Sequence, residues 1–581
     1  MSGRDPRVGL SGELLPEHAL SAVQALDHVR VVVMSGDSPA AALTAAALLV
    51  LVARTHAHVE VLDDISLPRN PWDAGTLTEL LTSLGPLRPT AQATPERTIR
   101  ISTGRHPDAD RYITPSAWTV AVTDKPLAVG VDRAAGGSVD GTVPVWGDPA
   151  EGLQMKVAPY GGMFAAAIVV ADLFCAALAP LGLPTAPRRS TFLWNLLDYT
   201  YTTAQPNDPT NPLWPRLLFA GCGSVGSSAA AALACDNLSG LTAIAVDADS
   251  FDPARNMFRY PAATGIPGIT EATEVIEVSG VGATGRGRGA GAVGDGVSLG
   301  GVVAKAAWIG SMLGRAGAAA DHLVGPVRSW TTSQAEPGFD GVVVSSLDDI
   351  DGRYEVADML ARATMSVAVR ALSFHLQREH LGDGMRCPFC DFVTTASPLA
   401  QAAADAQLTG LSEQRVVQLL HQDSGLEQHD VDLMVSAGKL TIGTAQGLVG
   451  GRLADLRNRI YAQAAIPAAV AGTAPPAPLS APFVSWAAGV LIAAEVAKLA
   501  YGLAPVERRV EVDLHGYPAD FVHVRAADTS GRCACSRAVR VRWMQALYSD
   551  DASVGQPADL HWHAAPGPGR ARRSRAASAE I

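Results

Sequence analysis

A chain of 581 residues with 48% hydrophobic and 18% charged side chains is too apolar for a disordered protein and too often interrupted by charge for a multi-span membrane protein. It is expected to be soluble and globular, with three or four structural units or two large ones with insertions. A net charge of −12 argues against a broad phosphate-backbone footprint and hence against nucleic-acid binding. The start, Met1-Ser-Gly-Arg-Asp-Pro-Arg7, has no apolar stretch behind its charges, so no secretory signal is expected and the cytoplasm is the expected compartment. Seven cysteines are too few for a disulfide scaffold and point to thiols or metal ligands.

From Val29 the sequence reads VRVVVMSGDS, then a long Ala/Leu helix, then a second β-branched run from His58 to Asp63, which predicts a βαβ unit. Its turn, Met34-Ser-Gly-Asp37, carries one glycine and a negative charge where a phosphate cradle needs several free amides. The apolar runs from Ala40 to Ala53 and after Tyr160, the latter broken by Asp172, fall short of the ~20 residues that cross a bilayer and read as buried helices. No membrane association is expected.

After a Pro/Asn-rich linker, Gln205 to Pro212, the same order returns: a strand over Arg216–Ala220, a glycine turn over Gly221–Gly226, a helix from Ser227 to Cys235, and a strand from Leu241 ending at Asp247. Each half closes with an apolar helix, over 161–174 and 488–498. The fold class expected is therefore α/β, with two Rossmann-like doubly wound halves in tandem, the first worn. Residues 278–301 are dominated by glycine and read as a flexible insertion, and helical patterns such as Glu413-Gln-Arg-Val-Val-Gln-Leu-Leu420 fill the stretch between Ala396 and Pro482. The expected units are 1–205 (degenerate half), 206–395 (nucleotide-binding half), 396–480 (helical insertion), 481–535 (return of that half) and 536–581 (tail). Arg570, Arg572, Arg573 and Arg575 in the tail read as a solvated end, and His561-Trp-His563 as exposed decoration.

Gly221-x-Gly223-x-x-Gly226 follows a strand, opens a helix, and precedes Asp247 at the end of the next strand. Small residues let backbone approach a phosphate, the helix N-terminus offers oriented amides, and the aspartate can accept from ribose hydroxyls. This context permits NAD, FAD or ATP.

Downstream, Asp247-Ala-Asp249-Ser-Phe-Asp-Pro-Ala-Arg-Asn256-Met-Phe-Arg259 resembles the D-x-D…N-L-x-R-Q signature of the ThiF/MoeB family and the ubiquitin-activating enzymes. Here the spacing to Asn256 is one residue longer and Tyr260 replaces the final Gln. The next lysine is Lys305, beyond the glycine-rich insertion, and Asp340 to Tyr354 resembles the family strand that ends in T-D-N-x-x-x-R-Y, with Asp348 at the magnesium position and Asp349 for the Asn.

The resemblance implies that Gly221, Gly223, Gly226, Asp247, Asp249 and Asn256 bind ATP, that Arg259 and Lys305 offset charge on its phosphates, and that Asp348 holds Mg²⁺. Arg188 or Arg189 is a candidate to complete the ATP site from the other half. Cys387-Pro-Phe-Cys390 and Cys533-Ala-Cys535 form a split four-thiolate set suited to a structural Zn²⁺, its second pair shorter than the family's. No Cys occurs from Asp391 to Arg532, so the thioester nucleophile of many ubiquitin-activating enzymes has no counterpart there. Cys175, Cys222 and Cys235 read as small core residues.

The implied activity is ATP-dependent adenylation of the C-terminal carboxylate of a peptide or of a small ubiquitin-like or sulfur-carrier protein, by a monomer with internal duplication or a homodimer. A non-catalytic peptide- or protein-binding scaffold is the alternative, with a nicotinamide- or flavin-dependent oxidoreductase behind it.

Overall fold

The computed structural model describes residues 29–33, 39–61, 64–85, 97–102, 117–122, 128–133, 137–142, 160–178, 212–251, 259–263, 303–334, 337–348, 350–370, 372–380, 411–422, 425–440, 481–502 and 509–514, with short pieces elsewhere. The turn at 34–37, Asn256, Arg188, Arg189, Cys387, Cys535, the His561–His563 pair and the basic tail lie outside the described residues.

Two mixed sheets are present. The first uses β1 (Val29–Val33), β2 (His58–Val61), β3 (Arg97–Ser102), β4 (Ala117–Val122), β5 (Ala128–Arg133) and β6 (Gly137–Thr142), in the order β2-β1-β3-β4-β5-β6. The strands from β2 to β4 run parallel and the last two antiparallel. α1 (Pro39–Thr55) makes the β1–β2 crossover and α2 (Leu77–Ser83) follows it, while α3 (Tyr160–Leu178) comes after β6.

The second sheet has β7 (Leu217–Ala220), β8 (Thr242–Asp247), β9 (Ala319–Val324), β10 (Phe339–Ser345), β11 (Ala361–Arg370), β12 (Ser373–His380), β13 (Arg509–Asp513) and β14 (Val522–His523), in the order β14-β13-β12-β11-β10-β7-β8-β9. Strands β9 to β11 are parallel, and the two-residue connection after β11 forces an antiparallel hairpin. Its helices are α4 (Ser224–Ala234), α5 (Lys305–Arg315), α6 (Val327–Ser333), α7 (Ile350–Asp358) and α10 (Pro482–Ala500). α8 (Glu413–Gln422) and α9 (Gln428–Ser436) build a separate small core around Val416, Val431 and Met434.

The α/β class is as expected, and each sheet adds antiparallel strands beside its parallel ones. Strand for strand, β2-β1-β3-β4-β5-β6 has the order and directions of β8-β7-β10-β11-β12-β13. The glycine-turn helix also starts at Ser224 rather than Ser227, because Gly223 already has the extended backbone of an N-cap and Gly226 falls in the first helical turn.

Four helices join the sheets. α1 packs on α3, α4 packs on α10, and α3 packs on α10. Small residues set the approach: a Cβ on Gly162 of α3 would stand 2.0 Å from Thr44 Oγ1 of α1, and one on Gly489 of α10 would stand 2.5 Å from Ser228 Cβ of α4. α10 is long and apolar enough to cross a membrane, yet it is wholly buried inside the protein. Its two charges pair with each other: Lys498 Nζ contacts Glu495, Tyr199 Oη donates to Glu495 Oε1 at 2.7 Å, and the Lys498 ammonium lies 4.7 Å from the Tyr199 ring centre.

Gly489→Ala is expected to cost about 1–3 kcal/mol in urea unfolding, the range for overpacking a core. The new methyl would also meet backbone, Ala229 N at 2.6 Å. Gly314→Ala on α5, where a Cβ meets nothing within 4 Å, is expected to leave stability unchanged or raise it by up to about 1 kcal/mol through helix propensity.

Candidate active site

The C-terminal ends of β7, β8 and β10 converge on the glycine turn. Gly221 takes φ +92° and donates its amide to Val246 O at 3.0 Å. Ser346, just past β10, donates its hydroxyl to Gly221 O at 2.8 Å and its amide to Ala220 O at 3.0 Å. A Cβ on Gly226 would stand 2.3 Å from Gly221 O and 2.8 Å from Ser346 Oγ. Two of the three glycines are therefore demanded by the turn's own geometry. Gly223 at the N-cap of α4 gives no side-chain cap, leaving first-turn amides of α4 without an intrahelical partner, as suits an anion.

Asp247 ends β8. Its Oδ2 accepts from the Cys222 amide at 2.6 Å and its Oδ1 from the Asp249 amide at 2.7 Å, so it rivets the turn while each oxygen keeps a further lone pair. Burial raises its pKa, opposed by those two amides and by Lys305.

Lys305 opens α5, although residues 248–304 separate it from β8. The ends of that segment meet: Phe251 N donates to Val303 O at 2.7 Å, Lys305 N to Asp249 O at 3.0 Å, and Ser250 bridges Ala304. The Lys305 ammonium then pairs with Asp249 Oδ2 at 2.8 Å and lies 5.9 Å from the Tyr260 ring centre. Burial works against the ammonium, but Tyr260, Asp249 and Asp247 outweigh it and raise its pKa. Phe251, Tyr260 and Trp308 form an aromatic cluster around it, with ring centres 5.3–6.3 Å apart.

Arg259 follows in the next described stretch, its carbonyl accepting from the Ser224 hydroxyl at the head of α4. Its Nε is buried with no hydrogen-bond partner among the described residues. Asp348 lies exposed three residues past β10. It is on the strand end whose Ser346 and Leu347 abut Gly221. Arg353, in the R-Y pair, is buried and bonds Ser366 Oγ at 3.2 Å and Val367 O at 3.1 Å, which ties α7 to β11.

Cys390 and Cys533 lie buried in one cluster with Val356 and Met359, so one member of each cysteine pair reaches the same place. No group of three or more metal-ligating side chains occurs among the described residues. Burial pushes the thiols of Cys222 and Cys235 upward, in keeping with inert core thiols.

Two contributors escaped the sequence reading, while Asp249, assigned to the nucleotide, also pairs with Lys305. Tyr260, seen as a departure from a motif, packs beside that lysine, and Ser346 props the turn. Adjacency to Arg259 could have flagged Tyr260, but nothing in the sequence marks Ser346.

No protein-family model and no curated protein sequence matches the chain. Among solved structures it is similar to E. coli MccB, with 13% identity over 55% of this chain and 64% of that one at a TM-score of 0.29. E. coli MccB with ATP gives 12% identity, 55% and 67% coverage and a TM-score of 0.27. The microcin C7 biosynthetic enzyme MccB in complex with N-formylated MccA gives 11%, 55% and 67%, and 0.28. The chain thus spans just under two thirds of the first of these structures, and at such scores the likeness carries no argument about activity.

If the turn is built for close backbone approach, Gly226→Ala should weaken nucleotide binding by at least about ten-fold, or ~1.4 kcal/mol. Calorimetric titration with Mg-ATP, with circular dichroism to show retained folding, checks this.

Proposed function

We propose that the chain binds Mg-ATP at the glycine turn and adenylates the C-terminal carboxylate of a peptide or of a small ubiquitin-like or sulfur-carrier protein, releasing pyrophosphate. The observation that supports this most is the closure of the 252–302 segment, which returns Lys305 to Asp249, two residues past Asp247. Along the chain the lysine is remote, whereas in space it belongs to the site.

In this reading the carboxylate oxygen attacks the α-phosphorus and the bond to the pyrophosphate oxygen breaks. Negative charge moves onto the leaving phosphates, where fixed cations lower the barrier because they are oriented before the reaction begins. Arg259, with an unpartnered Nε, and Lys305 supply that charge. For Lys305 to turn to a phosphate it exchanges one anionic partner, the exposed Asp249 carboxylate, for another, which keeps the ammonium paired throughout. Asp247 is placed to accept from ribose hydroxyls, and Asn256 is assigned to the nucleotide with it.

Asp348 would hold Mg²⁺, which would neutralise phosphate charge when bound; an exposed carboxylate suits such a cation, which keeps several waters of its own. Cys390 and Cys533, with Cys387 and Cys535, are assigned to a structural Zn²⁺ that would join the segment after β12 to the end of the second half. Matching strand orders support reading the chain as two duplicated halves, the first without a nucleotide site. With no cysteine at the usual thioester position, the acyl-adenylate would pass directly to a sulfur or amine acceptor.

Lys305→Met and Asp348→Asn should each weaken Mg-ATP binding by about ten-fold or more, the scale of a lost charge-assisted contact. NADH should not compete. Binding of NADH without Mg-ATP would establish an oxidoreductase instead, and binding of neither a scaffold. For the metal, the purified protein should carry about one zinc per chain, and Cys533→Ser should lose both zinc and thermal stability.

A further inference from the structure

The N-terminal half contributes no described residue to the glycine turn, yet it grips the segment that leads out of Arg259. Arg54, in the last turn of α1, is fully buried and reaches across to that segment. Its guanidinium donates to Tyr260 O at 3.0 Å and also to Ala263 O, while its other terminal nitrogen caps Val50 O at 2.8 Å. Trp72 Nε1 donates to the carbonyl between them, Pro261 O, at 3.1 Å. The Trp72 ring stacks on Trp486 of α10 with centres 5.7 Å apart.

Three of the four carbonyls over 260–263 are thus held by side chains of the other half, and Ala262 is buried in the core the halves share. The side chain of Tyr260 faces the opposite way. Its hydroxyl would lie 3.8 Å from a Cβ on Gly223, and its ring carries the Lys305 ammonium. A continuous chain of contacts therefore runs from Arg54, through the Tyr260 backbone and ring, to Lys305 and the head of α4.

We propose that Arg54, seconded by Trp72, is a positioning residue for Lys305, so that the N-terminal half presets the cation of the C-terminal half's site. This rests on the assignment of Lys305 to the phosphates. A guanidinium suits the task because its planar fork can hold two carbonyls at once, whereas an ammonium is a point donor without that geometry. Removing it takes the Arg54 donor from Tyr260 O, which keeps the Ala263 amide at 2.9 Å, and from Ala263 O, and the segment can respond by moving. The ring of Tyr260 would move with it.

The test uses the chain's small lysine set: Lys125, Lys156, Lys305, Lys439 and Lys498. Trace labelling of the folded, nucleotide-free protein with acetic anhydride, read out lysine by lysine by mass spectrometry, reports on Lys305 independently of activity. Lys498, with 0% exposure, reports folding. In Arg54→Met, Lys305 should acetylate about five-fold faster than in the wild type with Lys498 still protected, and Arg54→Lys should fall between.

Trp72→Phe keeps a ring against Trp486 and removes only the indole N–H, and it should shift Lys305 in the same direction. That variant decides the matter if Arg54→Met exposes Lys498. Unchanged Lys305 labelling in a folded Arg54→Met, or in Trp72→Phe where Arg54→Met unfolds, would overturn the proposal. A separate arm adds Mg-ATP to the wild type. Failure of Mg-ATP to protect Lys305 would count against the phosphate assignment, while the nucleotide-free rates would still show whether Arg54 positions the lysine.

Discussion

Everything else in the molecule depends on a helix that has no polar side to offer. α10 is apolar around its whole circumference and buried along its whole length, and such a helix is stable in water only if neighbours cover every face. α4 takes one flank and α3 another, and the second sheet lies against α10 along β11 and β12. Burial at ~25 cal/mol per Å² of apolar surface makes this layer the main source of cohesion. One of its covering helices comes from the N-terminal half, so the core around α10 is complete only with both halves.

The same layer tolerates ionic groups only as a closed set. Glu495 and Lys498 sit one turn apart with Tyr199 against both, and burial and the neighbouring carboxylate push the tyrosine's pKa well up. A buried pair of this kind adds little net stability while its disruption is costly, which favours one arrangement of the helices over its neighbours. Trp486 adds a directional link, donating to Met163 O of α3 at 3.1 Å. Tyr160 of the same helix reaches Asp236, just past α4, at 3.2 Å. Together these fix how the halves meet, and with that how Arg54 and Trp72 meet the 260–263 segment.

Much of the second half was legible in the sequence because its signals are local. The apolar run at Leu217–Ala220, the glycines that follow and the aspartate closing β8 each report a backbone requirement, and Gly221 at positive φ and Gly226 against Gly221 O show what those requirements are. Lys305 was found through a motif resemblance. What stayed hidden was the set of long-range pairings. Neither Asp249 holding Lys305 nor Arg54 holding Tyr260 O leaves a trace in spacing, since each joins residues remote along the chain. The antiparallel strands at the ends of both sheets were missed because an alternating strand looks the same whichever way it runs.

The bridge between Ser250 and Ala304 has a bearing on how such a protein can vary. Because the pairing of 249–251 with 303–305 fixes both ends of the intervening stretch, the register of Lys305 is independent of how many residues lie between them. Closing a chain costs only about 0.6 kcal/mol more for each doubling of its length. Insertions or deletions confined to 264–302, beyond the 259–263 stretch that Arg54, Trp72 and Ser224 hold, are accordingly cheap, and this is where the sequence can change size, gaining or losing whole segments, while the lysine stays in register with the aspartates of β8.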